Sequence, residues 1–175
     1  INEAGNVEVT PAGPGSLPID LKLLVDDLRS RGLNLPVLIR FSDILRTRVE
    51  QLFGAFNQAI AENDYKGSFR GVYPIKVNQQ RHVVEELMEY GRPYNLGIEA
   101  GSKPELLVAL ALQENPEAFI LCNGYKDRAF IETALLAQKL GRRVVITIDR
   151  SGELETILAA AAELDLRPVI GVRAR

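Results

Sequence analysis

The chain has 175 residues, 46% of them hydrophobic and 25% charged, which is enough apolar material for one domain with its own core. A net charge of -2 gives no basic footprint, so nucleic acid is set aside as a partner; no apolar run reaches the 18 or so residues of a membrane span, so no membrane partner is expected either. The single cysteine, Cys122, excludes an internal disulfide framework and fits a reducing, cytoplasmic setting, and with one histidine beside it a zinc site within the chain is not expected.

The opening twenty residues are rich in Gly, Pro and Asn and read as a loop with a short strand at "VEVT". "LKLLVDDLRSRG" (21–32) spaces Leu21, Leu24, Val25 and Leu28 at helical intervals and stops at Gly32. After the apolar run "LPVLIRF" (35–41), Ser42 can cap an amphipathic helix over 43–62, whose stripe is Leu45, Val49, Leu52, Phe53, Phe56 and Ile60.

From residue 69 a regular alternation begins. Strands are expected in "FRGVYPIKV" (69–77), "YNLGIEA" (94–100), "AFILC" (118–122), "RVVITI" (143–148) and "RPVIGVRA" (167–174). Between them lie helical patterns opening at Arg81, Ser102, Asp127 and Ser151, two of them ending in glycines, Gly91 and Gly141, suited to the left-handed position after a helix. Strand–helix units of this length imply right-handed crossovers and a parallel sheet. Two architectures fit: an open doubly wound sheet, or a closed (β/α)8 barrel of which five strands would be only a part. The nucleotide-binding patterns G-x-G-x-x-G and G-x-x-x-x-G-K-[ST] are absent after the first strand. The chain starts at Ile1 and stops at Arg175 directly after an apolar run, as expected of a barrel interrupted midway in a longer polypeptide.

In either architecture chemistry gathers at the C-terminal strand ends. The polar residues there are Lys76 and Asn78; Glu99 and Ser102; Asn123, Tyr125 and Lys126; Asp149 and Arg150; and Arg173. Several have plain structural readings. Ser102-Lys-Pro-Glu105 has the spacing of a capping box; Asp127 and Ser151 are read as N-caps; Asn123-Gly124 is a turn; His82 lies on an exposed helical face; Cys122 ends a buried strand. Lys76 stands apart. At the inner end of a barrel strand it would be largely desolvated, and desolvation favours the neutral, nucleophilic amine.

"YPIKVNQ", "GIEAGSKPEL", "LCNGYKD" and "VIGVRAR", in this order and spacing, resemble the biosynthetic arginine decarboxylases, members of the alanine racemase-like, fold type III group of pyridoxal-phosphate enzymes. "LPVLIRFSDILRTRVEQL" is similar to the stretch that precedes the barrel in that family. The resemblance implies a partial (β/α)8 TIM barrel, its first five strand–helix units, over residues 63–175, preceded by a helical and extended segment over 1–62. It implies that Lys76 holds pyridoxal 5'-phosphate as a Schiff base, that Glu99, Ser102 and Glu105 line the cofactor pocket, and that Arg173 lies near the cofactor's phenolic oxygen, with Arg175 two residues on as the competing arginine. The implied reaction converts L-arginine to agmatine and CO2 for polyamine and spermidine biosynthesis, with Mg2+ as a further cofactor of the family and a homo-oligomeric full-length enzyme. The family's phosphate loop and substrate-reading residues have no match within these residues, so 175 residues alone are expected to be inactive. Two readings stand beside this one: a related decarboxylase acting on ornithine or diaminopimelate, and a non-catalytic regulatory homologue.

Overall fold

The computed structural model describes residues 1–174, so Arg175 lies outside the described residues. The chain divides into two compact units, Ile1–Leu52 and Phe53–Arg175.

In the first unit, β1 (Glu8–Val9) pairs antiparallel with β2 (Ile19–Asp20), giving the expected strand a partner that its sequence pattern does not reveal. Asp20 then caps α1 (Leu21–Ser30), accepting hydrogen bonds from the Lys22 and Leu23 amides at 2.9 and 3.1 Å. Its other carboxylate oxygen accepts from the side-chain amides of Asn2 and Asn6 at 2.8 and 2.9 Å. The Asn6 amide leads these donors in holding the Asp20 carboxyl below the usual range. Gly32, at φ +86°, ends the helix where the sequence places its stop.

Helix α2 (Ser42–Glu62) contains the unit boundary. In the second unit its Phe53 is buried and stacks on Tyr94 at 4.6 Å between ring centroids, while Phe56 stacks on Phe69 at 3.8 Å.

The body of this unit is a five-stranded parallel sheet: β3 (Val72–Pro74), β4 (Gly97–Ala100), β5 (Phe119–Cys122), β6 (Arg143–Ile148) and β7 (Ile170–Val172). The strands lie side by side in chain order, with α3 (Arg81–Gly91), α4 (Lys103–Leu112), α5 (Arg128–Lys139) and α6 (Ser151–Glu163) as the crossovers. A doubly wound sheet reverses its strand order at a switch point; this sheet does not. Burial shows that helices cover one face only. Ile98, Ile120 and Ile146 point to that face and are at most 1% exposed, each contributing about 1.5–3 kcal/mol by burial. Their neighbours Glu99, Leu121, Val145 and Thr147 point to the other face and are only partly covered. Sequential order and one-sided cover are the geometry of part of a (β/α)8 barrel.

Four local expectations are corrected, the first being Ser42, which is the first helical residue of α2 rather than its cap. Gly91 is right-handed, at φ -81°; the left-handed residue is Asn95, φ +54°, after a short 3-10 turn over Arg92–Tyr94. What Gly91 provides is space, because a Cβ there would meet the Leu96 Cβ at 2.4 Å. Ser151 is the first helical residue of α6 rather than its cap, which is Arg150. The run 69–77 gives only three strand residues before the chain turns into a 3-10 segment, Ile75–Val77. Gly141, φ +85°, ends its helix as expected, and Asp127 caps α5 through the Phe130 amide at 2.9 Å.

Candidate active site

The open face of the sheet and the loops at its C-terminal end enclose a cleft of about 750 Å³. Its floor is Leu121, Val145, Thr147 and Gly171; its rim carries Lys76, Glu99, Glu105, Asn123 and Arg173.

Lys76 lies in the 3-10 turn that follows β3. The last ladder pair of that strand joins Pro74 to Glu99, so Lys76 leaves the sheet two residues later, beside Glu99. Its Nζ stands 3.6 Å from Glu99 Oε1. The turn is braced by Tyr73, whose hydroxyl donates to the Asn78 carbonyl at 3.0 Å across it; burial pushes the Tyr73 phenol up and keeps it a donor. Asn78 in turn accepts from the Gln80 amide at 3.0 Å, leading the chain into α3. The desolvation expected of Lys76 is not found: its side chain is 65% exposed. It has left the ladder on the face that no helix covers.

After β4 the chain turns through Gly101 and Ser102. Ser102 caps α4, its Oγ accepting from the Glu105 amide at 3.4 Å, while Glu105 Oε2 accepts from the Gly101 amide at 2.7 Å. Glu105 therefore reaches one residue further back than a strict capping box, and it faces the cleft. Ser102 lines a neighbouring depression with Lys103, Tyr125 and Arg150 instead. Gly124, φ +73°, brings the loop after β5 against this turn; a Cβ there would meet the Gly101 carbonyl oxygen at 2.9 Å.

Arg173 follows β7, with Nη1 3.4 Å from Asp149 Oδ1. Behind this pair lies a charged cluster that the sequence reading did not assemble. The Lys126 side chain is fully buried, with Nζ 3.3 Å from Glu153 Oε2 and 3.7 Å from Asp149 Oδ2. Lys126 Nζ also donates to the Gly124 carbonyl. Glu153 accepts backbone hydrogen bonds from Lys126 and Asp149, both at 2.9 Å. Burial pushes the Glu153 carboxyl up, but the Asp149 and Lys126 amides and the Lys126 ammonium outweigh it and hold it below the usual glutamate value. The available signal was positional: Lys126 and Asp149 both fall just past strand ends. Among the described residues no group of three or more His, Cys, Asp or Glu side chains is arranged to hold a metal ion, and no helix is long and apolar enough to cross a membrane.

The family model for the pyridoxal binding domain of pyridoxal-dependent decarboxylases matches residues 46–175. The chain belongs to the pyridoxal-dependent decarboxylases. Among these decarboxylases, the biosynthetic arginine decarboxylase of Gloeobacter violaceus is 58% identical over all 175 residues, which cover 27% of that protein. That of a Prochlorococcus marinus strain is 53% identical over 99% of this chain and 27% of its own length. The crystal structure of the biosynthetic arginine decarboxylase from Campylobacter jejuni superposes with a TM-score of 0.80 at 39% identity, over 87% of this chain and 26% of that one. The chain thus spans about a quarter of the length of the relatives it matches.

A pyridoxal group fits what this member of the decarboxylases presents. The cleft pairs an apolar floor, flattened at Gly171, with an amine, carboxylates and a guanidinium on one rim. A Cβ at Gly171 would project to within 3.0 Å of Thr147 Oγ1 and raise that floor.

Proposed function

We propose that these residues form the lysine-bearing part of the cofactor barrel of an arginine decarboxylase, which converts L-arginine to agmatine and CO2 in polyamine and spermidine biosynthesis. The observation that carries the reading is the convergence of Lys76, Glu99, Glu105 and Arg173 on one cleft in a chain 58% identical from end to end to a biosynthetic arginine decarboxylase. When bound, pyridoxal 5'-phosphate supplies an electron sink for the pair left on the substrate's Cα as CO2 departs. Lys76 is the amine that would hold the cofactor through its aldehyde carbon. Glu99 is the carboxylate paired with that amine, its Oε1 3.6 Å from Nζ, and a small rotation of the exposed lysine brings the two into hydrogen-bond reach. Arg173 stays protonated throughout and offers fixed N–H donors to an anionic oxygen on the cofactor ring. Ser102 and Glu105 fix the turn after β4 and so shape the rim.

The same reading places the enzyme in the cytoplasm, as a homo-oligomer with Mg2+ as a further cofactor, and divides the chain into a preceding segment over 1–62 and barrel over 63–175. Residues 1–175 alone would release no CO2, because the floor of the cleft lies on a sheet face with no cover. The test is CO2 release by the intact decarboxylase carrying these residues, saturated with pyridoxal 5'-phosphate, from carboxyl-labelled arginine, ornithine and diaminopimelate. Arginine is expected to lead by at least about a hundredfold, the discrimination available when a site hydrogen-bonds a polar group that its competitors lack. A lead for either competitor would move the substrate assignment, and silence with all three would favour a non-catalytic regulatory homologue.

A further inference from the structure

Arg173 is a long side chain, 58% exposed, at the rim of an open cleft, and nothing in its own strand fixes its direction. Its partner is the reverse. Asp149 occupies the register position beside Arg173, one step beyond the Ile148–Val172 pair, and its side chain is 2% exposed. The Asp149 amide is held by Glu153 Oε2 at 2.9 Å. Its Oδ2 makes no hydrogen bond and faces the Lys126 ammonium at 3.7 Å, which leaves Oδ1 turned toward Arg173 at 3.4 Å.

The charges explain why this arrangement is directional. Lys126 is fully buried, and Glu153, which also takes the Lys126 and Asp149 amides, answers its charge. The Asp149 charge is then left to be answered from the cleft side, by Arg173. A buried carboxylate whose backbone amide is held makes a better aiming device than an exposed one, since Arg173 cannot swing away without leaving the Asp149 charge less compensated in a poorly solvated place.

We propose that Asp149, held from behind by Lys126 and Glu153, is a positioning residue that sets the direction in which Arg173 presents its guanidinium to the cleft. The inference rests on the reading of Arg173 as a cofactor-facing donor.

The experiment is a double-mutant cycle in the intact decarboxylase: Asp149→Asn, Arg173→Gln and the double variant. It reads the dissociation constant of pyridoxal 5'-phosphate and the pH dependence of the bound cofactor's visible absorbance. Asp149→Asn is expected to weaken binding about tenfold and to move the absorbance titration toward that of Arg173→Gln, with the double variant no weaker than Arg173→Gln alone. If Arg173→Gln moves both readouts while Asp149→Asn moves neither, or if the two effects multiply, the positioning role is overturned and the reading of Arg173 survives. If Arg173→Gln moves neither readout, that reading fails and the inference falls with it. Should Asp149→Asn not fold, Asp149→Glu decides in the same cycle: it keeps the charge facing Lys126 but displaces the oxygen facing Arg173, and an unmoved absorbance titration would overturn the proposal.

Discussion

Lys76 and Glu99 meet at 3.6 Å across the first two strands of the sheet, the lysine 65% exposed and the glutamate 15%. The pair thus has a largely covered member on a strand and an exposed member on a turn. An exposed amine on a turn suits the proposed role of Lys76, which needs room to form and release a bond to the cofactor. Lys76→Ala is expected to abolish turnover and the visible absorbance of bound pyridoxal 5'-phosphate while leaving the far-ultraviolet circular dichroism unchanged. Lys76→Arg should fail equally, since a guanidinium stays protonated and cannot act as the nucleophile. Retained cofactor colour in either variant would move the reactive lysine elsewhere.

Lys126→Met removes a buried cation placed between two buried carboxylates, Asp149 and Glu153, whose side chains are 2% and 7% exposed. Breaking a buried pair by deleting one partner costs about 3–5 kcal/mol, and urea unfolding should register a loss of that order. Lys66→Met is the control. Lys66 pairs with Asp64 on the surface, and its loss should stay within about 0.5 kcal/mol. Equal losses in the two variants would mean that the buried cluster is not held by its charges.

Stability should also depend on pH through Glu153. Its carboxyl titrates below the ordinary value in the folded protein, so the folded state favours its ionised form. That stabilisation is complete above the unfolded-state pKa of about 4.3 and is lost as pH falls through the lower folded value. Urea midpoints should therefore separate wild type from Glu153→Gln at pH 7, and the gap should narrow toward pH 3. A gap independent of pH would assign Glu153 a packing role only.

Cys122 lies at the end of β5 on the helix-covered face, at 0% exposure, and burial pushes its thiol up to about 12. Thiolate is the reactive form, so the folded protein should resist a thiol-specific disulfide reagent at pH 8, while the urea-unfolded chain reacts fully. Rapid labelling of the folded protein would show that the loop after β5 opens readily.

The alternation of strands and helices is legible in the sequence because burial here is one-sided. Every second residue of a central strand must be apolar, and each helix must present one apolar stripe, so both periods survive in the residues. Strand lengths are less legible. The run at 69–77 reads as nine apolar-rich residues, but Pro74 has no amide for a ladder and the backbone turns immediately after it. Gly91 and Asn95 show a similar limit: both tolerate a left-handed backbone, and the choice was made by Leu96, which needs the space over Gly91.

The site follows the same division. Lys76, Glu99, Glu105 and Arg173 could be singled out because strand ends can be counted along the chain and their neighbourhoods carry a family pattern. The cluster behind Arg173 could not. Glu153 bonds the Lys126 amide 27 residues away, and Ser151, two residues before it, offers the more obvious local cap. A local pattern ranks serine first; a tertiary bond to a buried amide 27 residues away leaves no periodic trace.

The strict side-by-side order of the five strands has a consequence for how the chain reaches its fold. Each strand pairs with the one made just before it, Val72 with Gly97, Ile98 with Ile120, Phe119 with Arg143 and Ile146 with Ile170. Every new ladder therefore closes a loop of about two dozen residues, and closure entropy grows only slowly with loop length. None of the four ladders among the described residues waits for a distant segment to be synthesised. Pairing of this kind suits a chain that leaves the ribosome in order, each helix closing over its strand pair before the next strand arrives.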